Sequence, residues 1–120
     1  MNSTEKLSLI LQHAEEYYEH SRQYLFIQDG FMTYEIFDLG YTKCIYFADM
    51  FIKKSARGGK ALGTLVKACE QLGKDYGAKV AICCVQKDNP YIKNIQSMYD
   101  LIGFKYSRED DTAMYYRLDR

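Results

Sequence analysis

The chain has 120 residues, 48% hydrophobic and 27% charged, with 16 basic and 16 acidic side chains and so zero formal net charge at pH 7. That length makes one domain with one core, and the composition excludes a disordered chain. A neutral balance removes the global basic field that gathers nucleic acid, and no apolar run reaches the length of a membrane span.

No signal-peptide pattern is read at the N-terminus, so the expectation is a cytoplasmic protein without nucleic-acid or membrane partners. From Asn2 to about His20, Leu7, Ile10, Leu11, Ala14, Tyr17 and Tyr18 recur at helical spacing with Glu15, Glu16 and Glu19 opposite, which predicts an amphipathic helix. Asn2 with Glu5 resembles a capping box. Tyr24 to Gln28 and Phe31 to Phe37 then read as two strands around an Asp29-Gly30 hairpin signal. After a second turn at Asp38 to Gly40, Thr42 to Ile52 reads as a long strand. Strict alternation puts its Tyr46, Ala48, Met50 and Ile52 on one face, and Phe47, Asp49 and Phe51 on the other.

A short basic turn follows, and then a glycine-rich entry into a helix: Lys53-Lys-Ser-Ala-Arg-Gly-Gly-Lys-Ala-Leu-Gly63. This is the layout of a phosphate cradle. Backbone N–H groups at a helix start lack intrahelical acceptors, the helix dipole favours an anion there, and glycines let the backbone approach it. The loop matches neither G-x-x-x-x-G-K-[ST] nor G-x-G-x-x-G. The helix carries Leu62, Leu65, Val66, Cys69, Leu72 and Tyr76 on one face and stops at Gly77. Lys79 to Val85, nearly all apolar, reads as a buried strand with a parallel neighbour. Asn89-Pro90 starts a last helix with the stripe Ile92, Ile95, Tyr99 and Ile102, and Gly103 ends it. Phe104 to Tyr106 and Ala113 to Leu118 close the chain as a hairpin around Glu109-Asp110-Asp111.

The four cysteines, Cys44, Cys69, Cys83 and Cys84, lie in or beside apolar segments and form no C-x-x-C, so reduced core thiols are expected rather than a metal site or disulfide framework.

Two motifs resemble the GNAT family of acetyl-CoA dependent N-acetyltransferases. Asp49-Met50-Phe51-Ile52, four residues, then Arg57-Gly58 is similar to the family's strand and cradle signature; Tyr99-Asp-Leu-Ile-Gly103-Phe104 is similar to its C-terminal Tyr-x-x-x-Gly-Phe. Together they cover roughly Tyr46 to Tyr106. The resemblance implies an α+β fold, an α/β/α sandwich with a mixed, mostly antiparallel twisted sheet and helices on both faces. The cofactor would enter between the strand ending near Ile52 and the one at Lys79 to Val85. It implies acetyl-CoA as co-substrate, with the backbone of Met50, Phe51 and Ile52 pairing with its pantetheine amides. The cradle from Arg57 through Gly58, Gly59, Lys60, Ala61 and Leu62 to Gly63 would take its pyrophosphate. Tyr99 stands at the position of the general acid, and Asn94 is a candidate for the asparagine the family keeps on this helix.

The chain departs from the pattern at several positions. Lys60 and Leu62 occupy places where the family has small residues, Ile92 stands where the helix asparagine is expected, and Tyr46 replaces the glutamate some members carry. The strand that usually precedes the first helix has no room here, so the N-terminal part reads as short. Glu35 and Asp49 are the carboxylates nearest by strand position. Three functions follow: an N-acetyltransferase acting on a primary amine of a small molecule or protein; a GNAT-like binding or assembly module without catalysis; and a small α+β interaction domain. Assembly is open, a homodimer among the options.

Overall fold

The computed structural model describes residues 1–16 and 22–119. Helix α1 spans Ser3–Glu16, and the expectations for Tyr17, Tyr18, Glu19 and His20 fall outside the described residues. Asn2 caps α1 as its spacing predicts: its Oδ1 accepts from the Glu5 N–H at 2.8 Å, and its amide donates to Glu5 Oε1 at 3.2 Å.

Strands β1 (Gln23–Ile27), β2 (Gly30–Asp38) and β3 (Lys43–Ile52) form an antiparallel meander, followed by a 3-10 turn at Lys54–Ala56 and helix α2 (Ala61–Asp75). Strand β4 (Val80–Gln86), helix α3 (Ile92–Ile102), β5 (Lys105–Glu109) and β6 (Ala113–Asp119) complete the chain. The sheet order is β1-β2-β3-β4-β6-β5, with β3 and β4 the parallel pair. Helix α1 covers one face, where Leu7 and Leu11 pack on Cys44, Tyr46, Val80, Ile82, Ala113 and Tyr115. Helices α2 and α3 cover the other, bringing Leu65, Cys69, Ile95 and Tyr99 onto Met32, Ile45, Phe47, Ala81 and Cys83. This is the mixed sandwich the sequence predicts. Cys83 and Cys84 face opposite sides, and all four cysteines are free thiols.

Four local readings are corrected by the structure. The hairpin turn is Gln28–Asp29, and Gly30 already pairs with Ile27 and Ile52. A Cβ on Gly30 would collide with the Phe51 carbonyl oxygen, so glycine serves close approach of β3 there rather than a special φ. Helix α3 begins at Ile92 rather than at Pro90, because Asn89 Oδ1 accepts from the Tyr91 N–H at 2.8 Å and holds a turn ahead of it. The alternation of β3 also breaks. Met32 pairs with Met50 but Tyr34 with Phe47, so β3 carries one residue more than β2 across this interval. Tyr46 and Ala48 therefore lie with the α1 face, whereas Met50 and Ile52 join Ile45 and Phe47 on the α2 and α3 face. Thr33 holds the bulge: its Oγ1 accepts from the Asp49 N–H at 2.9 Å and donates to Asp49 Oδ2 at 3.1 Å. Tyr76, placed by its spacing on the buried face of α2, is instead 40% exposed, its ring 6.4 Å from that of Tyr34.

Candidate functional site

Strands β3 and β4 run side by side from Cys44 opposite Val80 to Phe47 opposite Cys83, and then part. The bulge is the cause. Past it, β3 stays in register with β2, with Met50 opposite Met32, Phe51 opposite Phe31 and Ile52 opposite Gly30, while β4 continues beside β6. A wedge opens between the C-terminal ends of two parallel strands, where open sheets place ligands. Its apex is held by two bonds: Cys84 Sγ donates to the Ala48 carbonyl at 3.1 Å, and the Tyr99 hydroxyl donates to the Cys84 carbonyl at 3.0 Å.

On the α2 and α3 side the wedge widens into a cavity of ≈ 510 Å³. Eight of the eleven contact residues expected from the sequence line it: Met50, Phe51 and Ile52 from β3, Arg57, Gly58, Gly59 and Leu62 from the turn and α2, and Asn94 from α3. Lys60, Ala61 and Gly63 do not. Ala61 is buried at the start of α2, Gly63 faces Met98, and Lys60 is an exposed residue whose carbonyl accepts from the Thr64 N–H at 3.1 Å.

The Lys53 N–H donates to the Asp29 carbonyl on the β2 side, at 2.8 Å. Strand alternation then turns the Phe51 amide toward β2 as well, and those of Met50 and Ile52 toward the wedge. Gly58, at φ +81°, makes the left-handed step before α2, and the N–H groups of the first turn of α2 lack intrahelical acceptors by helix geometry.

Two cations of the turn are committed locally. Arg57 Nε donates to the Ile52 carbonyl at 2.9 Å, with its guanidinium 5.5 Å from the Phe51 ring centroid, and Lys53 Nζ lies 3.0 Å from Asp29 Oδ1. Sequence reasoning missed Gln86, Asp88 and Met98, which also line the cavity. Once β3 and β4 are read as parallel neighbours, the rule that ligands sit beyond the strand ends would have pointed to the segment after β4.

Tyr99 lies behind the cavity floor, 3% exposed, with its ring among Phe104 and Tyr116. Burial, and then the neighbouring Cys83 and Cys84, push its hydroxyl well above the ordinary tyrosine range, so it keeps its proton. Burial likewise raises Cys44 and Cys69 to about 12 and Cys83 well above its usual value, which leaves these thiols unreactive.

On the α1 side a second cavity of ≈ 430 Å³ shares Gln86 with the first and includes Gln12, Arg22, Tyr46, Asp49, Asp110 and Tyr115. Arg22 bridges Glu35 and Asp49, at 3.9 Å from each, and lies 5.0 Å from the Tyr46 ring centroid. Asp110 accepts from the N–H groups of Thr112 and Ala113 and from the Tyr115 and Thr112 hydroxyls, with the backbone bonds doing most to lower it to about 2. Among the described residues no group of His, Cys, Asp and Glu is arranged to hold a metal ion, and no helix is long and apolar enough to cross a membrane.

No family model matches the chain, and no curated protein does. Solved structures do match. The PaiA N-acetyltransferase of Thermoplasma acidophilum, in complex with coenzyme A, is similar at 20% identity and TM-score 0.64, over 98% of this chain and 72% of that one. A NatC complex bound to Gag peptide and CoA is similar at 13% identity and TM-score 0.63, over 76% of this chain and 60% of that one. Arabidopsis thaliana NAA60, in complex with a bisubstrate analogue, is similar at 10% identity and TM-score 0.62, over 77% of this chain and 65% of that one. The chain thus spans about three-fifths of the NatC structure's length. At these identities the likeness establishes architecture, and the chain has the fold of the GNAT acetyltransferases.

Proposed function

We propose that this chain is an acetyl-CoA dependent N-acetyltransferase that modifies a primary amine of a small molecule or protein. The observation that carries the reading is the wedge between β3 and β4, with a ≈ 510 Å³ cavity at its mouth and the glycine turn and helix start at its rim. Acetyl-CoA supplies an acyl group activated as a thioester. The inward amides of Met50 and Ile52 hold an extended, amide-bearing arm as an added strand. The N–H groups at the start of α2 take the pyrophosphate, with Gly58 and Gly59 keeping the approach free of Cβ bulk. Asn94 and Gln86 contribute side-chain amides to the same cavity.

The amine enters from the α1 side, past Asp49. Asp49 accepts the ammonium proton, directly or through water, with Thr33 fixing its carboxylate. The free amine attacks the acyl carbon; the new C–N bond forms as the C–S bond breaks. Tyr99, whose proton rests on the Cys84 carbonyl at the apex, delivers it to the departing sulfur, and the second proton of the amine nitrogen, released as the amide forms, passes through water to restore the phenol. Holding both reactants at one apex supplies the proximity on which acyl transfer depends.

A second reading is favoured by Tyr99 itself, which is buried and already bonded to a backbone carbonyl. A module that binds acetyl-CoA without turnover accommodates that burial as well. The plain interaction domain gives way, because it requires neither wedge nor cavity.

Calorimetric titration with acetyl-CoA tests the assignment. Micromolar binding, about −8 kcal/mol, is expected in the native chain, with at least a tenfold loss in Gly59→Asp, whose new Cβ meets only the Ala56 carbonyl at 3.6 Å. Tyr99→Phe is expected to bind equally well and to lose acetylation of an amine panel. Absence of binding by the native chain removes the enzyme reading, and binding without turnover selects the module.

A further inference from the structure

The sheet ends on one side at β1, which among the described residues pairs with β2 alone. Natural edge strands usually carry charges, prolines or bulges that discourage pairing. This one reads Gln23-Tyr-Leu-Phe-Ile27, without a charge or a proline, and it pairs with β2 in unbroken register. Its Tyr24 and Phe26 are 58% and 69% exposed, their rings stacked with centroids 5.7 Å apart. The aromatic row continues inward through Phe31, 5.4 Å from Tyr24 and 5.7 Å from Phe26, to Phe51, 5.7 Å further on. Helix α1 packs on the central strands and leaves this row uncovered.

The backbone of β1 is set for one particular partner. Ile27 and Gly30 close a two-residue hairpin, where the closing pair is the hydrogen-bonded kind. Alternation then turns the amides of Gln23 and Leu25 to β2, and those of Tyr24 and Phe26 to the open edge. A second β1, laid antiparallel about a two-fold axis through Leu25, sets Tyr24 opposite Phe26 of the other copy, and Phe26 opposite its Tyr24. Both pairs bring outward N–H and C=O groups together, and both stack aromatic rings on the same face. Gln23 falls opposite Ile27, so no charge meets a like charge within the strand.

We infer that the chain forms an isologous dimer through β1, joining two six-stranded sheets into one continuous sheet centred on Leu25. The proposal is independent of acetyl transfer. A fully covered aromatic ring buries about 150–250 Å². Two partly exposed rings per copy therefore bring about 400–600 Å² before the backbones are counted, against the roughly 1,000 Å² of a stable contact. The dimer is accordingly a weak one, populated at high protein concentration.

Sedimentation of the full chain over a dilution series into the high-micromolar range is the experiment. Expected is a reversible monomer–dimer equilibrium that Phe26→Pro abolishes, since that proline removes an outward N–H and leaves the bonds to β2 intact. Should Phe26→Pro fail to fold, the double variant Tyr24→Lys with Phe26→Lys serves instead, because each new ammonium faces another across the axis. Register is read by oxidative cross-linking. Leu25→Cys places its thiol opposite its own copy in a non-hydrogen-bonded pair with Cα atoms about 4.5 Å apart, within disulfide reach. Gln23→Cys meets Ile27 and does not link. A native chain that stays monomeric throughout, or a Phe26→Pro chain that still pairs, overturns the dimer. Equal cross-linking of Gln23→Cys and Leu25→Cys overturns the two-fold through Leu25.

Discussion

The two halves of β3 have different jobs, and the difference between them explains most of the molecule. From Cys44 to Phe47 the strand has hydrogen-bonded neighbours on both sides and helices over both faces, and its side chains are buried. From Ala48 to Ile52 it keeps only β2, and its other edge forms the wall of the wedge. The first half has no free backbone to offer a ligand, and the second leaves part of its backbone unpaired for one. On the proposed function, stability and binding fall to adjacent segments of a single strand, and the division falls at one bulge.

The largest effect that tests this division is Ile45→Ala. Ile45 is fully buried in the doubly paired half, and its loss is expected to cost about 2–5 kcal/mol in urea denaturation, with acetyl-CoA affinity of the remaining folded protein unchanged. A cost well under that would mean the paired half is not where stability resides. Thr33→Val strikes the junction itself. It leaves the Asp49 N–H without its acceptor and the carboxylate without its donor, and a destabilisation of about 1–3 kcal/mol is expected, together with weakened acetyl-CoA binding as the wedge loses its geometry. Unchanged stability and binding would show that the bulge is fixed by other contacts.

The smallest effect lies at the far rim. Asp110 is depressed from 3.8 to about 2, so its hydrogen bonds add stability at pH values above the unfolded value, and that stability is lost as the pH falls through the folded one. Between about pH 4 and pH 2 the Asp110→Asn variant should therefore show a shallower loss of stability than the native chain, by less than ~1 kcal/mol because the group is exposed. Equal slopes would remove Asp110 as the anchor of that turn.

Much of this arrangement was legible in the sequence because local signals and tertiary structure agree. The apolar run at Val80–Val85 marks the parallel neighbour of β3, Gly77 and Gly103 both adopt the positive φ that ends a helix, and the two motifs lead to the cavity and to its apex. The misreadings share a physical origin. Alternation alone sets the facing a sequence predicts, and a bulge has no composition of its own; the Thr33–Asp49 bonds that hold it join residues sixteen apart. Gly30 reads as a turn residue because glycine commonly sits in one, whereas the Phe51 carbonyl behind it belongs to another strand. Nothing local in the basic turn announces the Asp29 and Ile52 partners of Lys53 and Arg57, which the fold brings from the preceding hairpin and strand. Gln86 and Asp88 carry no motif and become wall residues only because β4 parts from β3.

The bulge at Asp49 also insulates one part of the chain from variation in another. The facing of a strand is counted from its last fixed pair, and the extra residue resets that count after Phe47. Changes of length near Ile52, where the strand meets the turn and the rim of the cavity, need not propagate backwards into the facing of Ile45 and Phe47. The core can stay constant while the opening is reshaped, and a sheet of this kind can carry openings of different shape without being refolded for each.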